Sequence, residues 1–257
     1  MDVLRPSLLP GLLDALRHNL ARRNGEVALF EVGRVFSRNN DSAREERQMA
    51  IAVTGLRNPP TWSGADRDAK WDIYDLKGLI EDFLARFGVR GASFSRRADN
   101  TGVYLESASI QLGKNTLGAL GQLTPALARQ YDLRDPVYLA EFNLDLMLAL
   151  PGRSTVRTFK ALPAFPAIRR DVAMLVPEAT THDAVLVAAR QAKPQNLESI
   201  EIFDVFRGKS VPAGQKSVAY AFTYRGADRT LTDAEVNTSH NKLVEQFKQR
   251  LGAVVRE

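Results

Sequence analysis

Two stretches of strict alternation in the last hundred residues constrain this chain more than any other feature. Val172, Met174 and Val176 alternate with Asp171, Ala173 and Leu175, and Val218, Tyr220, Phe222 and Tyr224 alternate with Ser217, Ala219, Ala221 and Thr223. Residues two apart share a strand face, so each stretch reads as a strand with one bulky side and one small side. Between them, Phe203 and Val205 continue the bulky set, which puts Asp204 and Phe206 on the small-residue side. With helical segments interleaved, the order is strand, helix, strand, strand, helix, strand. A split βαβ plan gathers four such strands into one sheet with both helices on one face, and leaves the other face open for a ligand.

The open face is expected to hold an aromatic ring, Phe206, and an acceptor, Asp204, above a low platform of Ala173, Ser217 and Ala219. A flat ring can stack on the phenyl group while the carboxylate accepts hydrogen bonds from its edge, which is how single-stranded bases are read. The competing reading is packing against a neighbouring domain. Charge favours a polyanion: residues 152–257 hold 16 Lys and Arg against 11 Asp and Glu, whereas residues 1–151 hold 19 of each kind. The whole formal charge of +5 therefore lies in the C-terminal part.

The helices of this part carry their own start and stop signals. Thr232-Asp-Ala-Glu235 is a capping box that opens a long helix, with Val236, His240, Leu243, Val244, Phe247 and Leu251 at helical spacing and Gly252 as the stop. Thr180 or Thr181 caps a shorter helix that ends before Pro194.

Several linked motifs appear here in order: Phe165-Pro-Ala-Ile-Arg-Arg-Asp-Val-Ala173, Phe203-Asp-Val-Phe206, Gly214-Gln-Lys-Ser217, Thr230-Leu-Thr-Asp-Ala-Glu-Val-Asn237 and Leu251-Gly-Ala-Val-Val-Arg256. Together they resemble the ferredoxin-fold anticodon-binding domain that closes the β subunit of bacterial phenylalanine–tRNA ligase. The resemblance implies that Ala173, Asp204, Phe206 and Ser217 hold the first anticodon base. The family commonly has Tyr where this chain has Phe206, a change that keeps stacking and removes any contact through a phenol hydroxyl. Arg169, Arg170, Lys209 and Lys216 are candidate phosphate contacts, as charged groups at the strand ends, with Arg207 and Arg225 nearby.

Upstream, 257 residues exceed one ordinary core of about 100–150, so a second domain is expected. Leu150-Pro-Gly-Arg-Ser-Thr155 is turn-rich, which suggests domains at 1–150 and 163–257 joined by a linker at 151–162. The first begins with Ser7 as a helix cap, Pro10 in the first turn, and Leu9, Leu12, Leu13, Leu16 and Leu20 on one face. Strands are expected at 27–36, 48–56, 103–112, 116–123 and 137–142, with a helix capped by Asp72 that carries Ile73, Leu76, Ile80, Phe83, Leu84 and Phe87 on one face. This is an α+β arrangement, an antiparallel sheet with helices packed on it.

This part resembles the class II synthetase-like module of the same subunit. The resemblance rests on Leu4-Arg-Pro-Ser-Leu-Leu-Pro-Gly-Leu12, Leu29-Phe-Glu-Val-Gly-Arg-Val-Phe36, Trp71-Asp-Ile-Tyr-Asp-Leu-Lys-Gly78, Leu117-Gly-Ala-Leu-Gly-Gln-Leu-Thr-Pro125 and Glu141-Phe142. Where the family usually reads His-Pro-Gly-Arg-Ser-Ala, this chain reads Val103-Tyr-Leu-Glu-Ser-Ala108. The resemblance implies a catalytically silent module that docks the α subunit of an α2β2 heterotetramer, with ATP and Mg2+ needed by the complete enzyme and no cofactor held by this chain. It covers only the C-terminal third of the family's usual subunit. Met1 is expected to correspond to an internal methionine of a longer chain, with a naturally short relative as the alternative.

Independent chemistry is sparse. The absence of cysteine removes thiolate metal sites, disulfides and thiol nucleophiles. His18, His182 and His240 are too scattered for a metal pair, and are expected on the surface or on helices. No phosphate-binding glycine loop occurs. No apolar run reaches the roughly 18–20 residues of a membrane span, and no signal-peptide pattern is present, so a soluble cytoplasmic chain is expected. Two other functions fit the same fold: an assembly scaffold without RNA affinity, and a small-effector module on the open sheet face.

Overall fold

The computed structural model describes residues 3–39, 42–59, 62–64, 66–98, 101–150, 159 and 161–256. The chain divides into two compact units, Met1–Thr158 and Phe159–Glu257. The expected linker at 151–162 falls mostly on residues outside those described.

The first unit begins with α1 (Leu9–Ala21), β1 (Glu26–Asn39), β2 (Ser42–Gly55) and α2 (Ile73–Arg86). It continues with β3 (Ala92–Arg96), β4 (Tyr104–Leu112), β5 (Asn115–Leu123), α3 (Pro125–Gln130), β6 (Val137–Asn143) and α4 (Leu144–Ala149). The strands form one six-stranded sheet in the order β1-β2-β6-β5-β4-β3, antiparallel at every pairing. Each expected strand is present. Both sheet faces are covered, so the central strands bury residues of either parity. On one side Leu9, Leu12, Leu13 and Leu16 of α1 pack with Val27, Ala50, Ala52 and Leu139. On the other, Leu76, Ile80 and Leu84 of α2 pack with Met49, Ile51, Val53 and Phe142.

Helix starts in this unit differ in kind. Asp72 and Asp75 close a reciprocal capping box on α2, as local sequence suggests. At α1 the capping residue is Leu8, not Ser7, and a distant carboxylate does the work. Glu141 of β6 accepts the Leu8 N–H at 2.6 Å and the Ser7 hydroxyl at 2.8 Å, while Ser7 Oγ accepts the Leu9 N–H at 3.1 Å. A negative charge there also meets the positive end of the helix dipole.

The second unit contains β7 (Ile168–Pro177), α5 (His182–Ala192), β8 (Leu197–Phe206), β9 (Gln215–Tyr224), α6 (Asp233–Leu251) and β10 (Val254–Val255). Its sheet order is β10-β7-β9-β8, all antiparallel. This is the ferredoxin-like plan, with a last strand of only two residues. Thr181 caps α5 by accepting the Ala184 N–H, and the Thr232–Glu235 box caps α6. Gly252 ends α6 in the left-handed conformation, φ 61°, which glycine adopts without steric cost.

The bulky alternating residues form the core as expected. Val172, Met174, Val176, Val218, Tyr220, Phe222 and Tyr224 meet Val236, Leu243 and Phe247 of α6. Each fully buried apolar side chain contributes about 1.5–3 kcal/mol, so the α6 stripe alone is decisive for this unit. His240 lies on α6 in the stripe expected from helical spacing. It is buried on α6, hydrogen-bonded through Nδ1 to the Tyr224 hydroxyl at 3.0 Å, and set edge-on to Phe222 and Tyr224.

Candidate nucleic-acid interface

Register across the second sheet defines its open face row by row. Ala173 of β7, Ala219 of β9 and Asp204 of β8 lie opposite one another, and in the next row Leu175, Ser217 and Phe206 do the same. The four residues expected to hold a base, Ala173, Asp204, Phe206 and Ser217, therefore share one patch. Ala219 and Ser217 are buried as its floor, while Phe206 keeps 44% of its surface exposed. Asp204 is exposed, and among the described residues it has no hydrogen bond or ion pair. An acceptor without a partner thus stands next to an open ring.

Two further residues complete the patch. The chain leaves β10 beside β7, where the Arg256 N–H donates to the Ala173 carbonyl at 2.8 Å. The Arg256 guanidinium then reaches across the floor, and its Nη1 donates to Ser217 Oγ at 3.3 Å. Gly208 backs the Phe206 ring, for a β-carbon built there would lie 2.4 Å from Cζ. Neither role is readable from periodicity. Arg256 owes its place to a two-residue strand, and Gly208 lies in the turn beyond β8.

One expectation about this face is overturned. Alternation puts Phe203 with the bulky core set, but β8 carries a register shift between Ile202 and Asp204. Ile202 pairs with Tyr220 on the core side, Asp204 pairs with Ala219 on the open side, and Phe203 is the extra residue between them. Its ring lies under the Arg169 guanidinium, 5.6 Å from carbon to ring centre, and Arg169 pairs with Thr223 on the open side.

The cations divide between the two faces. Arg169 stays on the open side, with Nε donating to Asp171 at 2.8 Å, a bond that raises the guanidinium pKa. Lys209 is exposed in the β8–β9 connection, with no ion pair among the described residues. Arg170 and Lys216 face the other way, because they pair in register with the core positions Phe222 and Val176. Arg170 is held by Asp233 and by Asn237 Oδ1 at 3.1 Å, and Lys216 Nζ donates to the Glu178 carbonyl at 2.9 Å. Arg207 pairs with Glu178 at 2.8 Å, holding that carboxyl below its usual range, and Arg225 pairs with Glu198 at 2.9 Å. The open face carries Asp171, Glu201 and Asp204 as well as Arg169 and Arg256, so it is mixed in sign rather than broadly basic.

Sequence comparison connects this geometry to known proteins. Residues 163–256 match the model of a family described as the ferredoxin-fold anticodon binding domain, and residues 1–144 match that of the phenylalanyl tRNA synthetase beta chain CLM domain. This chain belongs to the phenylalanine–tRNA ligase β-subunit family. It is 35% identical over 257 residues to the phenylalanine–tRNA ligase β subunit of Trichormus variabilis, a match covering 99% of this chain and 32% of that subunit. It is 38% identical over 260 residues to that of Moorella thermoacetica, covering 100% of this chain and 32% of the relative. To the β subunit of Symbiobacterium thermophilum it is 36% identical over 258 residues, covering 99% and 28%. The chain thus spans about a third of the length of the relatives it matches. Among the described residues no helix is long and apolar enough to cross a membrane.

Proposed function

We propose that this chain reads the anticodon loop of phenylalanine tRNA with the open face of its second unit, and that its first unit docks the catalytic α subunit of an α2β2 ligase. The observation that carries the reading is the unpartnered Asp204 carboxylate beside the half-exposed Phe206 ring, above a floor of Ala173, Ala219 and Ser217. Guanine offers N1–H and N2–H2 donors on one edge, and a carboxylate accepts both. The base plane stacks on Phe206, and the Arg256 guanidinium on the far side of Ser217 suits an acceptor such as guanine O6. Because the face is mixed in sign, selectivity comes from this edge and ring geometry more than from bulk charge.

Docking by the first unit finds support in the outermost strand β1, where Phe30 is 70% and Val32 50% exposed. The relatives are named phenylalanine–tRNA ligase β subunits, and we infer that the complete enzyme uses ATP and Mg2+ in the cytoplasm. Among the described residues no group of three or more His, Cys, Asp or Glu is placed to hold a metal ion. No step of that chemistry is assigned to this chain.

The test is an equilibrium titration with a labelled anticodon stem-loop of phenylalanine tRNA, beside a loop altered only at the first anticodon base, at two salt concentrations. The parent is expected to prefer the cognate loop, with tighter binding at low salt. Asp204→Ala is expected to reduce that preference by about 1–3 kcal/mol, the range for a base-edge contact. Equal preference in the two proteins rejects the Asp204 reading, and failure of the parent to bind either loop favours an assembly scaffold without its own RNA affinity.

A further inference from the structure

The bulge in β8 gives the open face a second ring. A strand without it would send Phe203 to the core side if Asp204 and Phe206 faced out, since neighbours alternate. The extra residue breaks that alternation and leaves Phe203, Asp204 and Phe206 on one side. Phe203 is 54% exposed, more than Phe206 at 44%, in a unit whose other phenylalanines on the sheet and on α6 are buried. Exposing this ring forgoes its burial free energy.

Arg169 gives the ring a defined setting. Its guanidinium lies 5.6 Å from the ring centre and is anchored by Asp171 at 2.8 Å. A cation over an aromatic face, within reach of a phosphate, is the pairing that single-strand binders combine with base stacking. Asp204, Val205 and Phe206 stay in register with Ala219, Val218 and Ser217, and Phe203 is the extra residue just before them, so the two ring positions are separated by roughly 7–10 Å of strand. That separation matches two neighbouring bases splayed out of a loop, with Asp204 between them.

We propose that Phe203, braced by Arg169, is a second base platform, which stacks the nucleotide next to the one read by Asp204 and Phe206. It selects no base by hydrogen bonding, because a phenyl ring offers none, and it accepts any base by its π face. The proposal rests on the anticodon-loop reading above and assigns that face a two-nucleotide footprint.

The experiment measures dissociation constants of the full chain for the anticodon stem-loop, intact or with one abasic nucleotide on either side of the first anticodon base. Phe203→Ala is expected to weaken binding of the intact loop roughly tenfold, within the span of stacking losses, and Phe203→Tyr to stay within about twofold of the parent. One of the two abasic loops should bind the parent roughly tenfold more weakly, yet suffer no further loss in Phe203→Ala, since both changes remove the same contact. If Asp204→Ala still loses affinity while Phe203→Ala binds as the parent does, or loses equally on every loop, the second platform is wrong and the first stands. If Asp204→Ala also binds as the parent does, both fall. Thermal unfolding of each variant guards against misfolding, and retained affinity in Phe203→Tyr separates a lost ring from a disturbed bulge.

Discussion

The Phe206 ring rests against Gly208, so closely that a β-carbon at 208 would come within 2.4 Å of Cζ and 2.8 Å of Cε1. A two-residue step thereby fixes the orientation of the ring that a base would stack on. Gly208→Ala should push the ring aside instead of disrupting the fold, because the colliding atoms are the far end of an exposed side chain. Thermal stability should change by no more than about 0.5 kcal/mol, as for other surface substitutions. Affinity for the anticodon stem-loop should fall several-fold, by part of the roughly 1–3 kcal/mol that stacking supplies. An unfolding curve and an anisotropy titration of the same sample separate the two effects.

The first unit depends on a contact of a different kind. Glu141 satisfies two donors at the start of α1, at 2.6 and 2.8 Å, from a strand more than 130 residues downstream. Glu141→Ala would leave the Leu8 N–H without that acceptor, and would remove a negative charge from the positive end of the helix. A loss of about 1–3 kcal/mol is expected, since capping and partly buried hydrogen bonds to a charged group both fall in that range. Glu141→Gln should recover part of it, because an amide oxygen still accepts. Denaturant unfolding followed by far-ultraviolet circular dichroism measures both.

These two contacts mark where sequence reading stops. Alternation in β7 and β9 was legible because a core covers only one face of their sheet, so side-chain size follows the period of two. Helix starts at Asp72, Thr181 and Thr232 were legible because their capping partners lie three residues away. The Glu141 cap was not, since nothing local to Ser7 or Leu8 announces a carboxylate on β6. The bulge at Phe203 was also hidden: no glycine or proline marks it, and the strand reads as regular alternation until its register with β9 is known. Charge at a strand end makes Arg170 and Lys216 candidate phosphate contacts, but their register with Phe222 and Val176 puts them on the helix side.

Arg256 offers a salt-sensitive readout of the site. Its guanidinium is placed by one backbone bond to Ala173 and one side-chain bond to Ser217, so it enters the patch without an acidic partner among the described residues. Arg256→Gln should weaken loop binding, and if the cation meets a phosphate, the slope of log affinity against log salt should drop by about one. An unchanged slope with reduced discrimination at the first base would instead assign the guanidinium to the base edge. Titrations at four salt concentrations with cognate and altered loops decide between these roles.

The buried His240 makes the second unit sensitive to mild acid. Burial lowers its pKa below the ordinary 6.5, and the positive charge of Arg170 lowers it further. The unfolded chain therefore binds a proton more readily than the folded one. Stability from this residue is full above about 6.5 and declines as pH falls from there toward the folded value, where the imidazole charges against Phe222 and Tyr224. Tyr224, whose own pKa is pushed up to about 12 by burial, stays a neutral hydrogen-bond partner throughout this window. Glu235 responds in a separate window. Its carboxyl is held at about 2 by Arg229 and by Thr232, so its contribution persists above the usual carboxylate range and is lost only as pH falls from 4.5 toward 2. Unfolding midpoints measured from pH 7.5 to 5 should therefore decline in the parent, and decline less in His240→Gln, which keeps a hydrogen-bonding side chain but cannot charge. A parent whose midpoint is level across that range would mean that the imidazole is accommodated in its charged form, and would remove His240 as the source of acid sensitivity.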